Sequence, residues 1–465
     1  MPDERFEDHL LHPRGRGRAL AGAHDGAAGG AACGDLVRVS LTAAGDRVTG
    51  AAFEAAGCGA MLAAASAAVE LAEGATLLEA ARISSPTIAA ELGGLSPGKL
   101  HAADLASDAL HRALGGAVRA HGAVEAYPGR TLVAMSGGVD SAVAALLSAQ
   151  ASGAEVVSVT LELWAEAGND GEGSCCSASA VRGARRVAHG LGLAHFTLDL
   201  RDEFRDGVVA PWLSEHAAGL TPNPCIRCNG HVRLDAMLEF ADRIGAATLT
   251  TGHYARRSDD HPLRLAADAA KDQSYMLAAL SPRTLRRLRF PLGELTKPEV
   301  RALARAANLD LADKPDSQDL CFLAGTGRAE FLARYGDLRE RPGAIVDRAG
   351  TVLGRHGGHH GFTVGQRKGL PGGSREPLYV LATDARANTV TVGPRAQLAT
   401  RRVRVRGLRL RGAPDAVRLR SHTAPVGCRV DGDEIHLDEP FDGAAPGQTA
   451  VFLRGDAIVG CATIA

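Results

Sequence analysis

Aromatic residues, net charge and long apolar runs are all scarce in this sequence. Aromatics make up only 4% of its 465 residues, whereas Ala and Gly are abundant, a composition that reflects either closely packed helices or a compositional bias of the genome. The formal net charge of −1 excludes a protein-wide basic field, so a nucleic-acid ligand has to meet a local basic patch. No stretch of about 18 uncharged apolar residues is present, which argues against a membrane-spanning helix.

Targeting signals are missing as well. The first residues, MPDERFEDH, are charged and lack the apolar core of a signal peptide, so we expect a cytoplasmic protein. Thiols stay reduced in that compartment. The nine cysteines therefore need a chemical or packing role other than structural disulfides.

The stretch 131–149 carries the most informative local pattern. Thr131–Met135 is an apolar run, residues 136–141 read SGGVDS, and Ala142–Ala149 is rich in helix formers, which predicts a strand, a tight turn and a helix. Two glycines allow close backbone approach, and the N–H groups at the start of a helix suit a phosphate. Asp140 is expected to hold Mg²⁺. The lysine of the common Gly-Lys-Ser/Thr phosphate loop is absent, and SGGVDS instead resembles the pyrophosphate loop of enzymes that adenylate a substrate.

Residues 1–122 predict a small α+β domain. Leu36–Leu41 and Val48–Phe53 alternate like a strand pair, and helices are predicted over 60–71, 77–82, 87–92 and 102–117. Chemistry-bearing side chains are concentrated in short motifs between these elements. The candidate metal ligands are Cys33, Asp35, Cys58 and His101.

This domain resembles the iron–sulfur scaffold family of IscU/NifU N-terminal type. The resemblance rests on FEDHLLHPRGRG at 6–17, CGD at 33–35, the stretch from Phe53 to Gly59 and the segment before His101. In that family a third cysteine follows the histidine, and Ala102 stands there in this sequence. The four candidate ligands are therefore a degenerate set. Two interpretations stay open: a retained fold with degraded cluster chemistry, or a module that brings a cysteine desulfurase or a cluster to the rest of the chain.

Residues 131–325 alternate strands and helices. Further strands are predicted over 155–161, 195–198 and 247–251, and a helix over 178–191. This alternation predicts a doubly wound parallel sheet with ligands at the carboxyl ends of its strands. The motifs after the strands are NPCIRCN at 223–229, GHYAR at 252–256, KDQSYML at 271–277 and SQDLCF at 317–322. Alone, the Cys-x-x-Cys is compatible with a redox pair, half a metal site or a nucleophile with a neighbour.

In this order, SGGVDS and these four motifs resemble the tRNA-specific 2-thiouridylase family (MnmA/TrmU). The resemblance covers roughly residues 130–465 and continues through FTVGQRKGL at 362–370 and PGQTAVF at 446–452. It implies that ATP adenylates the 2-oxygen of the wobble uridine in the anticodon arm of tRNA, and that sulfur then displaces AMP. It also implies that Cys228 is the catalytic nucleophile and that Cys321 carries sulfur as a persulfide, with a disulfide between them as an intermediate.

Cys225 departs from the family, in which many members have Asp at this position. Three thiolates at Cys225, Cys228 and Cys321 can hold a [4Fe–4S] cluster, so a cluster route and a cluster-free persulfide route both stay open. Cys175 and Cys176 are interpreted as local, and Cys428 and Cys461 as core residues.

The resemblance assigns binding roles to further positions. ATP is expected to contact Ala134, Met135, Ser136, Gly137, Gly138, Val139, Asp140 and Ser141, together with Leu161, just after the second strand, and Gly252. Asn223, Pro224 and Cys225 are expected around the target base, which has to leave its stack. Contacts to tRNA are expected from His253, Lys271, Asp272, Gln273, Arg420, Ser421 and Gln448.

From residue 342 onward, short strands with glycine turns predict small β units, including a C-terminal β-barrel. One of the predicted strands is Phe362–Val364. Arginines are concentrated between 401 and 420, either as a solvated face or as an RNA-binding surface. They are Arg401, Arg402, Arg404, Arg406, Arg409, Arg411, Arg418 and Arg420.

The predicted fold class is therefore multidomain α/β. The predicted domains are the α+β scaffold-like domain at 1–122, a linker at 123–130, the pyrophosphate-loop domain at 131–325, a small central β domain at 326–375 and the barrel at 376–465. The expected partners are tRNA and a cysteine desulfurase or sulfur-relay protein, with no membrane. Two other classes compete: a pyrophosphate-loop synthetase for a small substrate, and an iron–sulfur assembly protein with an accessory nucleotide domain.

Overall fold

The structure, a computed structural model, describes residues 4–29, 34–164, 178–316, 320–323, 326–371 and 376–465. The chain divides into two compact units. Unit 1 comprises Met1–Arg201, Asp235–His253 and Arg287–Phe322, and unit 2 comprises Asp202–Leu234, Tyr254–Arg286 and Leu323–Ala465. Cys33, Cys175 and Cys176 lie outside the described residues.

The α-helices are, in chain order, α1 (Glu4–Leu11), α2 (Gly59–Ala72), α3 (Leu77–Ala80), α4 (Ser85–Glu91), α5 (Leu100–His121), α6 (Val139–Gln150), α7 (Ala178–Gly190), α8 (Arg201–Phe204), α9 (Ala210–Ala217), α10 (Pro224–Cys228), α11 (Leu234–Arg243), α12 (Pro282–Arg287), α13 (Lys297–Ala306) and α14 (Arg328–Gly336). None of the described helices is long and apolar enough to span a bilayer.

The strands are β1 (His24–Gly29), β2 (Leu36–Ala44), β3 (Arg47–Ala56), β4 (Tyr127–Ala134), β5 (Glu155–Glu162), β6 (Ala194–Asp199), β7 (Ala246–Thr250), β8 (Leu288–Arg289), β9 (Gly343–Val346), β10 (Val352–His356), β11 (Leu378–Asp384), β12 (Thr389–Pro394), β13 (Ala399–Leu410), β14 (Ala416–Arg418), β15 (Val426–Asp431), β16 (Glu434–Asp442), β17 (Thr449–Arg454) and β18 (Ala457–Ile464).

The N-terminal part of unit 1 is a three-stranded antiparallel sheet in the order β1-β2-β3, covered by helices. The predicted hairpin is present because Val37, Val39 and Leu41 alternate into the core while the residues between them face out or lie half-buried. Neither α1 nor β1 was predicted from the sequence. The β1 sequence, HDGAAG, has no apolar alternation to mark it as a strand. Its Gly26 lies against α5, where a Cβ would be 2.1 Å from the Ala109 carbonyl oxygen.

The second part of unit 1 is a five-stranded parallel sheet in the order β6-β5-β4-β7-β8. The predicted doubly wound sheet is confirmed. Strand β4 lies between β5 and β7, so the loop that follows it opens at the point where the strand order reverses, which is where such sheets bind ligands. One prediction is corrected here: β4 starts at Tyr127, inside the predicted linker, because Tyr127 pairs with Ala246 of β7.

The N-terminal part packs along the β6 edge of this sheet. The His195 amide donates to the Ala81 carbonyl (2.8 Å), which caps an otherwise open strand edge. Gly115 of α5 allows the helix to approach, since a Cβ at that position would lie 2.0 Å from the Thr197 carbonyl oxygen. Asp108 of α5 forms ion pairs with Arg185 of α7 and with Arg112. The two parts of unit 1 therefore share a buried interface.

Unit 2 contains a four-stranded sheet and a barrel. The sheet has the order β10-β9-β12-β11, with β9 and β12 parallel. Strands β11 and β12 of this sheet fall in the segment predicted as barrel. The central sheet therefore extends to Pro394, beyond the predicted boundary at residue 375. The alternation of apolar residues predicts a strand but does not specify which sheet it joins. Phe362–Val364 is not a strand, since Phe362 follows a 3₁₀ turn and packs against the central core instead.

The predicted C-terminal barrel is confirmed. It is closed in the order β13-β16-β15-β14-β17-β18. Val403 and Val405 of β13 point into its core, whereas Arg402, Arg404 and Arg406 are exposed. Three arginines of the predicted basic run therefore share the outer face of one strand.

Candidate active site

The loop between β4 and α6 is shaped to receive an anion. Gly137 has φ +73°, and a Cβ there would lie 2.7 Å from the Ala180 carbonyl oxygen, so glycine is needed for both backbone and space. Ser141 Oγ accepts from the Ser136 amide (3.1 Å) and donates to the Gly138 carbonyl (3.0 Å), which closes the loop on the first turn of α6. Gly138 is the N-cap of α6 and makes no side-chain capping hydrogen bond, and the start of a helix is a position that suits an anion.

Gly252 follows β7 and supports the same loop. A Cβ at Gly252 would lie 2.7 Å from the Ser141 nitrogen and 2.8 Å from the Asp140 carbonyl carbon, so only glycine allows this contact. The predicted ATP-site positions Gly137, Ser141 and Gly252 are thus brought together. Leu161 lies inside β5, which extends to Glu162, rather than after the strand. Its role in the adenosine pocket stays a prediction.

Two lysines from distant parts of the chain bring positive charge to this loop. Lys297 Nζ lies 2.7 and 2.8 Å from the two Asp140 carboxylate oxygens and 2.8 Å from Asp316 Oδ1. Lys314 Nζ donates to the Gly137 carbonyl (3.1 Å). Neither lysine was predicted from the sequence as part of the site. The one local sequence feature near Lys297 is the capping box of Thr296 and Glu299. It predicts the start of α13 but not which residues this helix contacts.

The Cys-x-x-Cys motif lies on α10. Asn223 is its N-cap, and its side-chain oxygen accepts from the amides of Cys225 (3.1 Å) and Ile226 (3.4 Å). This explains why the Asn-Pro-Cys sequence starts a helix here. Cys228 is buried at the last position of α10, and Cys225 is half-buried one turn earlier. A π-helical turn, Asn229–Arg233, follows directly, a feature that is frequent at functional sites.

Cys321 belongs to unit 1 and Cys228 to unit 2. Cys321 lies half-buried in the described turn 320–323. The approach of the two thiols to each other, and the shared cluster with Cys225, therefore stay predictions. Cys428 and Cys461 are buried in the barrel, as predicted, and burial raises the pKa of the Cys428 thiol to about 11.

Several positions predicted to contact tRNA make hydrogen bonds within unit 2. The buried Asp272 carboxylate accepts from Arg418 (2.8 Å) and from Ser274 Oγ (3.1 Å). Gln448 donates to the Thr221 carbonyl (2.6 Å), and Arg420 donates to the carbonyls of Gly443 and Val364. These side chains organise the loops that carry them.

The remaining positions predicted to contact tRNA are His253, Lys271, Gln273 and Ser421. Gln273 Oε1 accepts from the Tyr254 amide (3.0 Å), His253 Nδ1 lies 2.9 Å from Thr251 Oγ1, and Lys271 and Ser421 are half-buried. Contact of any of them with RNA stays a prediction.

The N-terminal domain holds a group of three potential metal ligands. Among the described residues, Asp35, Cys58 and His101 are the one set of three donor side chains whose ligand atoms converge within 4.8 Å. His101 Nδ1 lies 3.1 Å from the Gly98 carbonyl, which positions Nε2 toward Asp35 Oδ2 (3.0 Å). Burial alone would raise the pKa of Asp35, but hydrogen bonds from the Cys58 amide and the His101 ring outweigh it and lower the pKa.

Ala102, at the position where the resemblance implies a third cysteine, is fully buried. Cys33, the fourth candidate ligand, lies outside the described residues. The three converging donors fit a metal ion, since a thiolate, an imidazole and a carboxylate are common ligands of one divalent metal.

Four family descriptions match the chain. Residues 3–121 match a NifU-like N terminal domain, residues 129–325 a tRNA methyl transferase HUP domain, residues 329–394 a tRNA methyl transferase PRC-barrel domain and residues 414–464 an aminomethyltransferase beta-barrel domain. Curated relatives match either nearly the whole chain or about 70% of it.

The bifunctional protein NifU/MnmA of Rubrobacter xylanophilus is 45% identical, over 98% of this chain and 97% of the relative. The tRNA-specific 2-thiouridylase MnmA of Zymomonas mobilis is 43% identical, over 71% of this chain and 92% of the relative. The corresponding protein of Mycolicibacterium smegmatis is 44% identical, over 72% and 99%.

Proposed function

We propose a reaction for this chain from its family and its site. The chain belongs to the tRNA-specific 2-thiouridylase family, in the form that carries a NifU-like N-terminal domain. The enzyme converts uridine 34 of tRNA to 2-thiouridine and releases AMP and pyrophosphate from ATP. The observation that carries the proposal is the loop from Ser136 to Ser141, which ends on an uncapped helix N-terminus and is packed by Gly252.

The first step is adenylation. The 2-oxygen of uridine attacks the α-phosphorus of ATP, the bond to the β-phosphate breaks, and pyrophosphate leaves. We assign the phosphates to the loop 134–141, where the N–H groups of α6 and the serine hydroxyls stabilise the leaving charge. Asp140 is the residue that would hold Mg²⁺, and that ion would neutralise phosphate charge when bound. The Asp140 oxygens already contact a cation, the Lys297 ammonium, so this position accommodates positive charge.

The second step replaces oxygen by sulfur. The terminal sulfur of a Cys321 persulfide attacks C2 of the adenylated base and AMP leaves. The Cys228 thiolate then attacks Cys321 Sγ, which breaks the S–S bond, leaves sulfur on C2 and forms a Cys228–Cys321 disulfide. An external dithiol returns both cysteines to thiols.

A [4Fe–4S] cluster is the alternative sulfur carrier. Cys225 and Cys228 are three residues apart on α10, so their side chains lie on one side of the helix and fit two ligand positions of a cluster. Cys321 would be the third ligand, and a bound cluster would supply the sulfur for the second step. The cysteine ligands would then act as a cluster site instead of passing a persulfide.

We assign the binding of the two partners of this reaction to different parts of the chain. Arg402, Arg404 and Arg406 on the outer face of β13 offer positive charge to tRNA phosphates. The Asp35–Cys58–His101 group would bind a metal ion, and we assign sulfur supply from a cysteine desulfurase to the N-terminal domain. The competing synthetase for a small substrate would not need the cysteines at 225, 228 and 321.

One reconstitution tests the proposal. Purified protein, ATP, Mg²⁺, tRNA, cysteine and a cysteine desulfurase are combined, and 2-thiouridine is measured by mass spectrometry. We expect Cys228→Ser to abolish the product while ATP binding is retained, and Cys461→Ser, a buried cysteine of the barrel, to keep the product. Product formation by Cys228→Ser would contradict the assigned nucleophile. Anaerobic purification with iron analysis separates the two sulfur routes, because active enzyme without iron excludes the cluster.

A further inference from the structure

The segment 254–286 belongs to the same compact unit as the barrel, although it follows strand β7 of the parallel sheet along the chain. Hydrogen bonds fasten this segment to barrel strands and their turns. The Leu265 amide donates to the Asp456 carbonyl (2.8 Å), and the Tyr275 hydroxyl donates to the Thr449 carbonyl (2.6 Å). The motif KDQSYML, predicted to contact tRNA, is therefore anchored on the barrel.

A buried carboxylate organises the start of this motif. The Asp272 side chain is 4% exposed, its Oδ1 accepts from the Ala266 amide (2.9 Å), and its Oδ2 accepts from Ser274 Oγ (3.1 Å). These bonds close the loop on itself. The chain neighbours of Asp272 are Lys271, which is half-buried, and Gln273, which is exposed. The loop therefore buries its acid and leaves a cation and an amide nearer to its surface.

Arg418 of β14 compensates this acid. It belongs to the arginine run for which the sequence left a solvated face and an RNA-binding surface open, but its side chain is only 12% exposed and its Nη1 donates to Asp272 Oδ2 (2.8 Å). Among the described residues, the buried Nε of Arg418 has no hydrogen-bond partner. A buried pair of this kind is weak evidence for stability, because desolvation of the two charges opposes their attraction. Loss of one partner is costly, since the other charge stays buried.

We propose that Arg418 is a positioning residue for tRNA binding, because it holds the loop of Asp272 on the barrel and cancels the charge of that carboxylate. This inference rests on the proposed function, in which tRNA binds this chain, and on the prediction that Lys271 contacts it. Asp272 then acts inside the protein, and Lys271 is the side chain of the loop that meets a phosphate. An uncompensated carboxylate next to Lys271 repels that phosphate and displaces the loop.

The test measures binding of fluorescently labelled tRNA to the full-length protein at one fixed salt concentration. We expect Arg418→Met to weaken binding by about tenfold or more, because Asp272 is left without its partner. The double variant Arg418→Met/Asp272→Asn removes both charges, and Asn keeps an acceptor for the Ala266 amide. It should bind tRNA within about threefold of wild type, since replacement of both members of a buried pair is often neutral.

A direct contact between Arg418 and a phosphate predicts a different result for the double variant, because the second substitution does not restore the lost cation. Equal weakening in the single and the double variant would therefore overturn the inference, and so would wild-type binding by Arg418→Met. If Arg418→Met fails to fold, the folded double variant decides alone: near-wild-type affinity supports the inference, and a tenfold loss overturns it.

Arg264→Met is the matched control. Arg264 also joins the segment 254–286 to the barrel, through Asp456 (2.8 Å), but this pair is partly exposed and Asp456 keeps its second partner, Arg256 (2.9 Å). Loss of Arg264 leaves no buried charge uncompensated, so tRNA binding should stay within about threefold of wild type. A loss equal to that of Arg418→Met would show that any contact between segment and barrel has the same effect, which contradicts a specific role of Arg418.

Steady-state kinetics on the same samples separate positioning from chemistry, with 2-thiouridine measured by mass spectrometry. Arg418→Met should raise KM for tRNA, while kcat and KM for ATP stay within about threefold of wild type. A loss confined to kcat would overturn the inference. Wild type that forms 2-thiouridine while Arg418→Met keeps full tRNA affinity would refute the positioning role and leave the proposed function intact. Wild type whose tRNA binding depends on Arg418 but that forms no 2-thiouridine would refute the reaction instead.

Discussion

Asp108→Asn should loosen the interface between the N-terminal domain and the parallel sheet. Asp108 is 1% exposed, and its two oxygens contact Arg185 and Arg112, whose side chains are 5% and 17% exposed. Removing one member of such a buried group costs about 3–5 kcal/mol, because the remaining charges stay desolvated. Asn keeps one acceptor oxygen, and Arg112 keeps its ion pair with Glu162 (2.6 Å). We therefore expect the free energy that holds the interface together to fall by about 2 kcal/mol, which is below that range.

Hydrogen exchange at the His195 amide reports on this interface directly. That amide donates to the Ala81 carbonyl across the contact, so it exchanges when the two parts separate. A loss of about 2 kcal/mol corresponds to roughly 30-fold faster exchange of a peptide that contains His195. Peptides from the central strand β4 should change less. Asp313→Asn, at an exposed pair with Arg305, is the control. Unchanged exchange in Asp108→Asn, or an equal change in Asp313→Asn, would refute the argument.

The effect of Asp108 also has a defined pH dependence. Burial alone would raise the pKa of this carboxyl, but the charges of Arg185 and Arg112 outweigh it and lower the pKa. The unfolded chain protonates Asp at about pH 3.9, so the charged carboxylate contributes its full stability above that pH. The contribution is lost as the pH falls through the lower folded pKa. Wild type and Asp108→Asn should therefore differ most near pH 7 and converge in strong acid.

Two further predictions concern the loop and the same interface. Gly252→Ala places a Cβ 2.7 Å from the Ser141 nitrogen and should raise KM for ATP by about tenfold or more, whereas Gly183→Ala, which has open space, should leave it unchanged. Burial lowers the pKa of His189 to about 4 and that of His195 well below its usual value, so the unfolded chain binds more protons below about pH 6.5. Urea midpoints should therefore fall from pH 6.5 to pH 4, and less steeply in His189→Gln.

The sequence predicted those features whose defining residues are neighbours in the chain. The alternation of Val37, Val39 and Leu41 was sufficient for a strand because burial on one face has a period of two residues. The SGGVDS turn was recognisable because its glycines and the start of the following helix lie within six residues of sequence, a pattern that suits a phosphate. The same holds for Cys225 and Cys228, whose spacing places them on one helix.

Other features depend on which distant segments meet. The strands β11 and β12 were recognisable as strands, but their membership of the central sheet depends on pairing with β9, and hydrogen bonding between backbones carries no sequence label. The edge of β6 has its partner in Ala81, more than a hundred residues earlier in the chain, for the same reason.

By itself, the sequence determined most of the elements, the loop that we assign to phosphate and the cysteines that we assign to sulfur transfer, since each is encoded within a few neighbouring residues. Only the tertiary structure decided which lysines lie beside this loop, whose sequence lacks the lysine of the common Gly-Lys-Ser/Thr phosphate loop. Lys297 reaches Asp140 across 157 residues, and Lys314 reaches Gly137 across 177. A charge acts through space on whatever the fold brings within a few ångströms, so no local pattern around either lysine indicates its role.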